Sequence, residues 1–490
     1  MKRALAAWAS LLVAGMLVTA CTPPKTPPPP PPGEPPAEPS EVQVSTDPTL
    51  FPAFSTAVPD YVSRCSASSA VQVTVTAPPG TTVSVDGQPP QSGSFTAEVN
   101  RDVGQSFPIV VQPPSEPGSS HYVRCLPADF PAFTAERSGS PQAEWYVTAP
   151  IFGFGVGYPA IFDANGVPLW WDLPDDHSTL FTTVLANGNV AWTRFTGGAE
   201  ERTLDGSVVR TIETVGSPSD FHDLVLLPNG NYLFVANKPI CCFDLRAMGG
   251  PDGAHVLDHF VQELTPDGDL VWEWSTSDHI PVSETPPQWH DTVIGGGSPY
   301  DVYHYNSIEP TSTGYLLSYR HLNAVYHVDK ATGEIDWKLG GVLREEESLT
   351  VVDDPVFEGG GDLSGQHDAR VPGDGTVTLF DNGTSVRAPR VVRYALDETA
   401  GTATLVEELG DPGVPTSSCC GSSRVLADGN WVTGWGGTGV VTEMTPSGER
   451  ALLLEFDGDT FVYRATPVSP GLISREELRA GMDAQYPLVP

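Results

Sequence analysis

Positive charge is what this chain has least of. Its 490 residues carry 25 Lys and Arg against 61 Asp and Glu, a formal net charge of -36 at pH 7. Nucleic acids and anionic lipid surfaces are held by clustered cations. The balance therefore argues against both as the main partner and for an acidic, solvated surface. Long helical periodicity is also scarce, and after residue 20 no apolar run is long enough to cross a bilayer as a helix. A Walker-type Gly-rich loop is missing, so nothing points to a nucleotide donor. In place of these features stands turn chemistry. The chain has 49 Gly and 49 Pro with short alternating strands between them, the composition of an all-β protein.

The first residues carry an address. Lys2 and Arg3 precede an apolar run from Leu5 to Val18, as in an export signal over 1–20. Val18-Thr19-Ala20-Cys21 has the form of a lipobox, which predicts lipid attachment at Cys21; an ordinary cleaved signal is the alternative. Thr22 rather than Asp after the Cys resembles bacterial lipoproteins sent to the outer membrane, facing the periplasm or the cell surface. The only membrane contact expected is that anchor. Residues 21–40 are a Pro-rich linker, extended because proline fixes φ and donates no amide. Residues 41–145 contain VQVTVTAP, TTVSVDG, SFTAEV and FPIVVQP, which predict a small β-sandwich. An exported chain is oxidised, so Cys65 and Cys125 near its two ends are expected to pair.

Beyond residue 145 two kinds of turn alternate. Asn165-Gly166, Asp205-Gly206, Asp267-Gly268, Thr332-Gly333 and Ser447-Gly448 mark one kind. VLANGNVAW, LLPNGNYLF, EPTSTGYLL, VPGDGTVTL and VLADGNWVT mark the other. Two hairpins per unit make four strands, and repeated four-stranded units make a propeller. Five full units and a partial sixth predict a six-bladed β-propeller over 146–466, closed by strands from both chain ends. An array of β-sandwiches is the alternative. Residues 467–490 form a C-terminal tail with one short helical stretch, SREELRAGM.

The repeat singles out three of the 11 His. His222, His304 and His367 each stand eight or ten residues before the turn glycine of their unit, at the start of the strand expected to be innermost. Asp223 and Asp368 follow the first and third of them. If the units are radial, three imidazoles converge on one axis. His255, His259, His279, His290 and His327 have no such placement. Strand alternation puts Asn306 on the face of His304, and Arg320 returns to the same level at the end of the hairpin. Lys238 and Asn382 end the corresponding hairpins and are candidate substrate-binding groups. The expected mouth holds neutral donors and fixed positive charge, with no evident inward carboxylate. Three His could bind zinc, but Arg320 would repel a cation, so no metal is predicted. A guanidinium fork suits a tetrahedral oxyanion. A neutral imidazole is a competent nucleophile toward phosphorus or sulfur. Three classes stay open on these residues: a group-transfer enzyme, a non-catalytic anion-binding propeller, and a metal-dependent lyase or hydrolase.

The stretches FHDLVLLPNGNYLF, YHYNS, SYRHLNAVYHVDKATGEIDWKLGG and QHDARVPGDGTVTLFDNG, in that order, resemble the bacterial arylsulfate sulfotransferases over about residues 145–465. The resemblance implies a ping-pong transfer of a sulfuryl group from a phenolic sulfate ester to a phenol, with no adenylyl-sulfate donor, cofactor or metal. It implies His367 as the nucleophile that becomes sulfohistidine. It further implies His222 and His304 as the other active-site histidines, and Asn306 and Arg320 as holders of the sulfuryl oxygens. His304 is the expected proton carrier at the phenolic oxygen. Well-known members of that family have a spaced disulfide near the site. This chain has adjacent pairs instead, Cys241-Cys242 and Cys419-Cys420, which can close as vicinal disulfides or bridge to one another.

Overall fold

The computed structural model describes residues 40–66, 69–153, 156–174 and 178–488. The export signal, Cys21 and nearly all of the Pro-rich linker lie outside the described residues. The all-β expectation holds. Strands dominate, and α1 (Pro287–Gly296), α2 (Pro355–Glu358) and α3 (Arg475–Gln485) are the α-helices among the described residues.

Valine alternation builds the N-terminal part. Val71–Thr76 buries Val71, Val73 and Val75 and turns the residues between them toward the surface. It is the middle strand of a three-stranded sheet with Gln43–Asp47 and Ser94–Val99. A five-stranded sheet runs Leu50–Phe51, Asp60–Ser63, Ser119–Cys125, Ser106–Gln112, Thr82–Val85. Both sheets feed one apolar core that includes Val73, Val83, Phe107 and Ile109. The Cys65–Cys125 disulfide lies in this core.

From Trp145 onward six sheets succeed one another, antiparallel except where Thr350–Val352 pairs parallel with Thr402–Leu409. Five of them contain four consecutive strands paired in chain order, beginning at Thr182, Val225, Tyr305, His367 and Ser422. The remaining one is assembled from both ends: Phe461–Pro467 pairs with Trp145–Phe152, which pairs with Ala160–Asp163, which pairs with Pro168–Trp171. Gly188, Gly230, Gly375 and Gly429 join first to second strands, and Gly206, Gly268 and Gly448 join third to fourth. All have φ between 80° and 94°, which a side chain rarely tolerates. Gly314 serves differently. It opens the returning strand Gly314–Tyr319, and a Cβ there would stand 1.9 Å from the Val328 carbonyl oxygen. Close approach of the next strand, not turn geometry, requires glycine at that position. Phe133–Arg137, from the segment expected to belong to the N-terminal sandwich, pairs instead with Arg450–Phe456 as a fifth strand of the last sheet.

A repeated polar staple joins neighbouring sheets. Glu201, on a third strand, accepts from Asn187 and Asn189 of its own sheet's first turn and from the Tyr232 hydroxyl of the next sheet. Glu263 does the same with Asn229, Asn231 and Tyr315. Glu443 does it with Asn430 and with Tyr146 across the closure. All three glutamates are buried, and several donors on each carboxylate offset the cost of burying its charge. Part of the chain's acidity is therefore structural.

The tail is ordered by α3. Ser474 and Glu477 form a capping box at its start. Leu478 and Met482, four apart on one face, pack into the core of the first sheet. On the other side Arg475 and Arg479 grip Asp60, and Asp483 accepts from Arg124, so the helix ties the N-terminal sheets to the repeat. Met482→Ala should cost about 2–5 kcal/mol, read as a lower urea midpoint with an unchanged near-ultraviolet spectrum.

Candidate active site

The three histidines stand where the innermost strands begin. His222 precedes Val225–Leu226, His304 precedes Tyr305–Pro310, and His367 opens His367–Arg370. The innermost strands meet beneath them. Arg464, from the closing strand, reaches Asp223 of the third sheet at 3.0 Å and Asp368 of the fifth at 3.5 Å. Arg464 also donates to the Asn306 carbonyl of the fourth sheet at 2.5 Å. Arg370 pairs with Asp223 at 2.7 Å and Asp368 at 2.9 Å. A cavity of about 310 Å³ opens on the far side of this floor, lined by Phe181, Leu185, Glu309, Arg370 and Arg424 among others.

His367 is 1 % exposed. Its Nδ1–H faces two acceptors, the Gly365 carbonyl at 2.8 Å and Asn382 Oδ1 at 2.9 Å. The tautomer follows: Nε2 carries the lone pair, and it accepts the Cys420 amide at 3.1 Å. Burial, then the charge of Arg320, pushes its pKa well below the ordinary value. His367 is therefore a neutral imidazole whose Nε2 lone pair is met by a single backbone amide. Asn382 is not free to bind substrate. Its Nδ2 donates to Ser417 Oγ at 2.7 Å and to the Cys420 carbonyl at 3.0 Å, which fixes its Oδ1 toward His367.

His222 and His304 are neighbours, with ring centroids 5.1 Å apart. Each is held by an acid that sequence reasoning missed. Asp220 accepts from His222 Nδ1 at 2.8 Å, and Asp301 accepts from His304 Nδ1 at 2.5 Å. The expectation of a mouth without carboxylates is thus corrected. The acids sit behind the imidazoles, two and three residues earlier in the chain, where a close acidic residue was the available signal. Burial lowers the pKa of His304 while Asp301 raises it, and burial prevails. Asp301, which burial would raise, is held well below the carboxylate range by His304 and the other histidines around it.

Arg320 returns to this level as expected, its backbone amide donating to the His304 carbonyl at 2.9 Å. Its guanidinium donates to His321 Nε2 at 2.8 Å and to the Ser418 carbonyl at 2.9 Å, and lies 4.3 Å from the centre of the Trp289 ring of α1. Its Nε has no partner among the described residues. Burial lowers its pKa to about 10, still a cation at neutral pH. His321 was the other omission; its ring lies 4.6 Å from that of His304, tilted by 36°, and it follows Arg320 directly in the chain. Asn306 is fully buried and donates to the Gln366 carbonyl at 2.9 Å, next to His367, while its Oδ1 has no partner among the described residues. The alternation expected to align it with His304 is interrupted. His304 has φ 52°, and the pairing shifts between Tyr305 and Ser307. Lys238 does not end its hairpin. Tyr232–Phe243 runs past it, and its ammonium lies 5.0 Å from the Phe260 ring.

Both adjacent cysteine pairs close as vicinal disulfides. Cys241–Cys242 is exposed on the extended hairpin, while Cys419–Cys420 lies beside His367. Two adjoining clefts of about 790 and 480 Å³ share Pro415, Thr416, Ser418, Gly437 and Thr438, next to the carbonyl that holds Arg320. Asp301, His304 and His321 have ligand atoms within 4.8 Å of one another. They suit a metal poorly: His321 Nδ1 donates to the Asp301 carbonyl, and its Nε2 faces a guanidinium.

Residues 199–457 match the family model described as arylsulfotransferase (ASST). No curated protein matches the chain. Among solved structures, a protein of unknown function from Bacteroides caccae is 12 % identical with TM-score 0.42, covering 66 % of this chain and 99 % of its own. A catalytically inactive virginiamycin B lyase from Staphylococcus aureus is 13 % identical with TM-score 0.36, covering 66 % and 88 %. The WD40 β-propeller domain of Doa1 is 10 % identical with TM-score 0.35, covering 74 % and 88 %.

A pH test follows from His321, whose pKa burial and then His304 push down to about 3. Unfolded, the same group binds a proton below about 6.5. Between those values the unfolded state holds more protons, so stability is lost as pH falls through the window. Relative to His321→Gln, the wild type should lose about 2 kcal/mol between pH 6.5 and 5, measured by urea melts at each pH.

Proposed function

Because the chain belongs to the arylsulfotransferase family, we propose that it moves a sulfuryl group from a phenolic sulfate ester to a phenol through a covalent intermediate on His367. The observation behind the mechanism is that His367 is a buried neutral imidazole whose Nε2 lone pair meets only the Cys420 amide, with the Arg320 charge near enough to lower its pKa. In the first half-reaction Nε2 attacks sulfur, the aryl O–S bond breaks, and the aryloxide leaves with the electron pair. The amide of Cys420 must release Nε2 as the N–S bond forms. In the second half-reaction the phenol oxygen of the acceptor attacks sulfur, the N–S bond returns its electrons to Nε2, and the phenolic proton passes to a base. His304 fits that role. Its Nδ1–H is taken by Asp301, which leaves Nε2 as the acceptor atom.

Arg320 supplies fixed charge for the sulfuryl oxygens, with Asn306 close to the same strand. Asn382 acts on the nucleophile, holding its tautomer, and Lys238 is left outside the site. In this reading the six sheets are the blades of one propeller, preceded by a β-sandwich. Cys21 carries a lipid that anchors the protein at the outer membrane.

Purified protein should release nitrophenol from 4-nitrophenyl sulfate only when a phenol acceptor is added. No release with any acceptor, from folded protein, would leave an anion-binding propeller. His367→Asn should abolish both turnover and acid-labile sulfate on the protein. Arg320→Ala should lower kcat by about 10²–10³-fold with little change in melting temperature, since it removes charge stabilisation and not core packing.

A further inference from the structure

The charge floor under the histidines has a second side. The innermost strands start at the histidines and run away from them, and the cavity of about 310 Å³ is lined by their later residues, Val184, Leu226, Glu309, Arg370 and Arg424 among them. It therefore stands at the opposite end of the axis from the mouth, with the paired charges of Arg464, Asp223, Asp368 and Arg370 between the two. The transfer chemistry makes no use of it. Its size is near the lower limit for a small-molecule pocket, which leaves room for one small ligand.

Most charged groups around it are already engaged. Asp223 accepts from the Leu224 and Ile308 amides and is paired with Arg370 and Arg464. Asp368 accepts from Arg370, Arg424 and the Ser423 amide. Arg370 uses every donor it has: Nε and Nη2 on Asp368, Nη2 on Asp223, and Nη1 on the Ile308 carbonyl and on Glu309 Oε2. Two groups are left over. Arg424 holds Asp368 and the Ser423 carbonyl through Nη1 alone, so its Nε and Nη2 have no partner among the described residues. Those two nitrogens form the side edge of the guanidinium, a fork that takes a carboxylate by two parallel bonds. Glu309 meets Arg370 through Oε2, and its Oε1 has no partner among the described residues. Arg424 and Glu309 both line the cavity, and no ion pair joins them. Between them the wall is apolar, with Leu185, Leu226, Val371 and Val425.

Charge decides what fits. The guanidinium groups of Arg370, Arg424 and Arg464 face the carboxylates of Asp223, Glu309 and Asp368, one for one. A bare anion or a bare cation would upset that balance in an enclosed place, where an uncompensated charge is costly. A zwitterion preserves it. We propose that the cavity binds a small zwitterion with an apolar side chain, an aliphatic α-amino acid: its carboxylate on the Arg424 fork, its ammonium on Glu309, its side chain against Leu185, Leu226, Val371 and Val425. Burial and the charge of Arg464 lower the pKa of Arg424 to about 10, so it stays a cation at neutral pH. Burial raises the pKa of Glu309 against the pull of Arg370 and Arg424, and an ammonium at Oε1 acts in the same sense as those two arginines.

Isothermal titration calorimetry of the folded protein with valine and leucine tests this without reference to sulfate transfer. At least one of them should bind one-to-one with a Kd below about 10 mM. Truncated ligands separate the two charges. Isovalerate and isocaproate lack the ammonium, isobutylamine and isoamylamine lack the carboxylate, and each should bind at least about tenfold more weakly than its parent. Glu309→Gln keeps the shape of the side chain and drops its charge, and Arg424→Lys keeps a cation for Asp368 and loses the fork. Each should weaken the amino acid by about tenfold or more at an unchanged circular dichroism spectrum. Binding of neither amino acid overturns the proposal, as does an affinity that either variant leaves unchanged. A truncated ligand that binds as tightly as its parent also overturns it, since the site would then read one charge or none.

Discussion

The site rests on one buried cation. Arg464 reaches from the closing strand to carboxylates of the third and fifth sheets and to a carbonyl of the fourth. Four independent sheets are thereby referenced to one guanidinium. Breaking a buried pair by removing one partner typically costs about 3–5 kcal/mol, because the other charges are left behind. Here the loss would also free the starts of the strands that carry His222, His304 and His367. Arg370 cannot replace Arg464, since it comes from the fifth sheet and does not touch the closure.

Above that floor the charges are layered. Acids stand behind the imidazoles, and the guanidinium of Arg320 stands at the mouth. The carboxylates orient Nδ1–H groups and so leave Nε2 atoms outward, while Arg320 sets the sign of what can enter. A net charge of -36 on the whole chain is no obstacle to an anionic substrate when the local charge at the mouth is positive. Part of the acidity lies inside, in the Tyr–Glu staples and in the axial pairs, away from the mouth.

The repeat was legible because turn chemistry is local. Asn-Gly and Asp-Gly pairs mark positive-φ positions whatever surrounds them, and the histidines could be placed by counting back from them. What escaped depends on contacts between sheets. Asp220 and Asp301 are near their histidines in the chain, but nothing local says that they turn inward. His321 follows Arg320 on a short 3-10 turn, Arg320–Leu322, where strand alternation no longer applies. Lys238 was misjudged because its strand continues to Phe243, and strand length is set by the partner it pairs with. Asn382 was expected to face a substrate, but its amide is bonded to His367, Ser417 and Cys420, contacts that belong to other parts of the chain. Phe133–Arg137 alternates like any edge strand, and only the three-dimensional position of Arg450–Phe456 assigns it to the repeat.

The closure has a kinetic side. Trp145–Phe152 is an apolar strand, WYVTAPIF, buried along nearly its whole length only once Phe461–Pro467 has paired with it. Until then it presents an open sheet edge, the kind of surface on which chains pair with one another. The pairing joins segments almost the whole repeat apart, so it bears the largest loop-closure entropy and belongs among the slow steps of folding. The same strand that delivers Arg464 to the axis thus ends the interval in which the nascent protein is exposed to aggregation, and a chain stalled before it would lack both its charge floor and its protection.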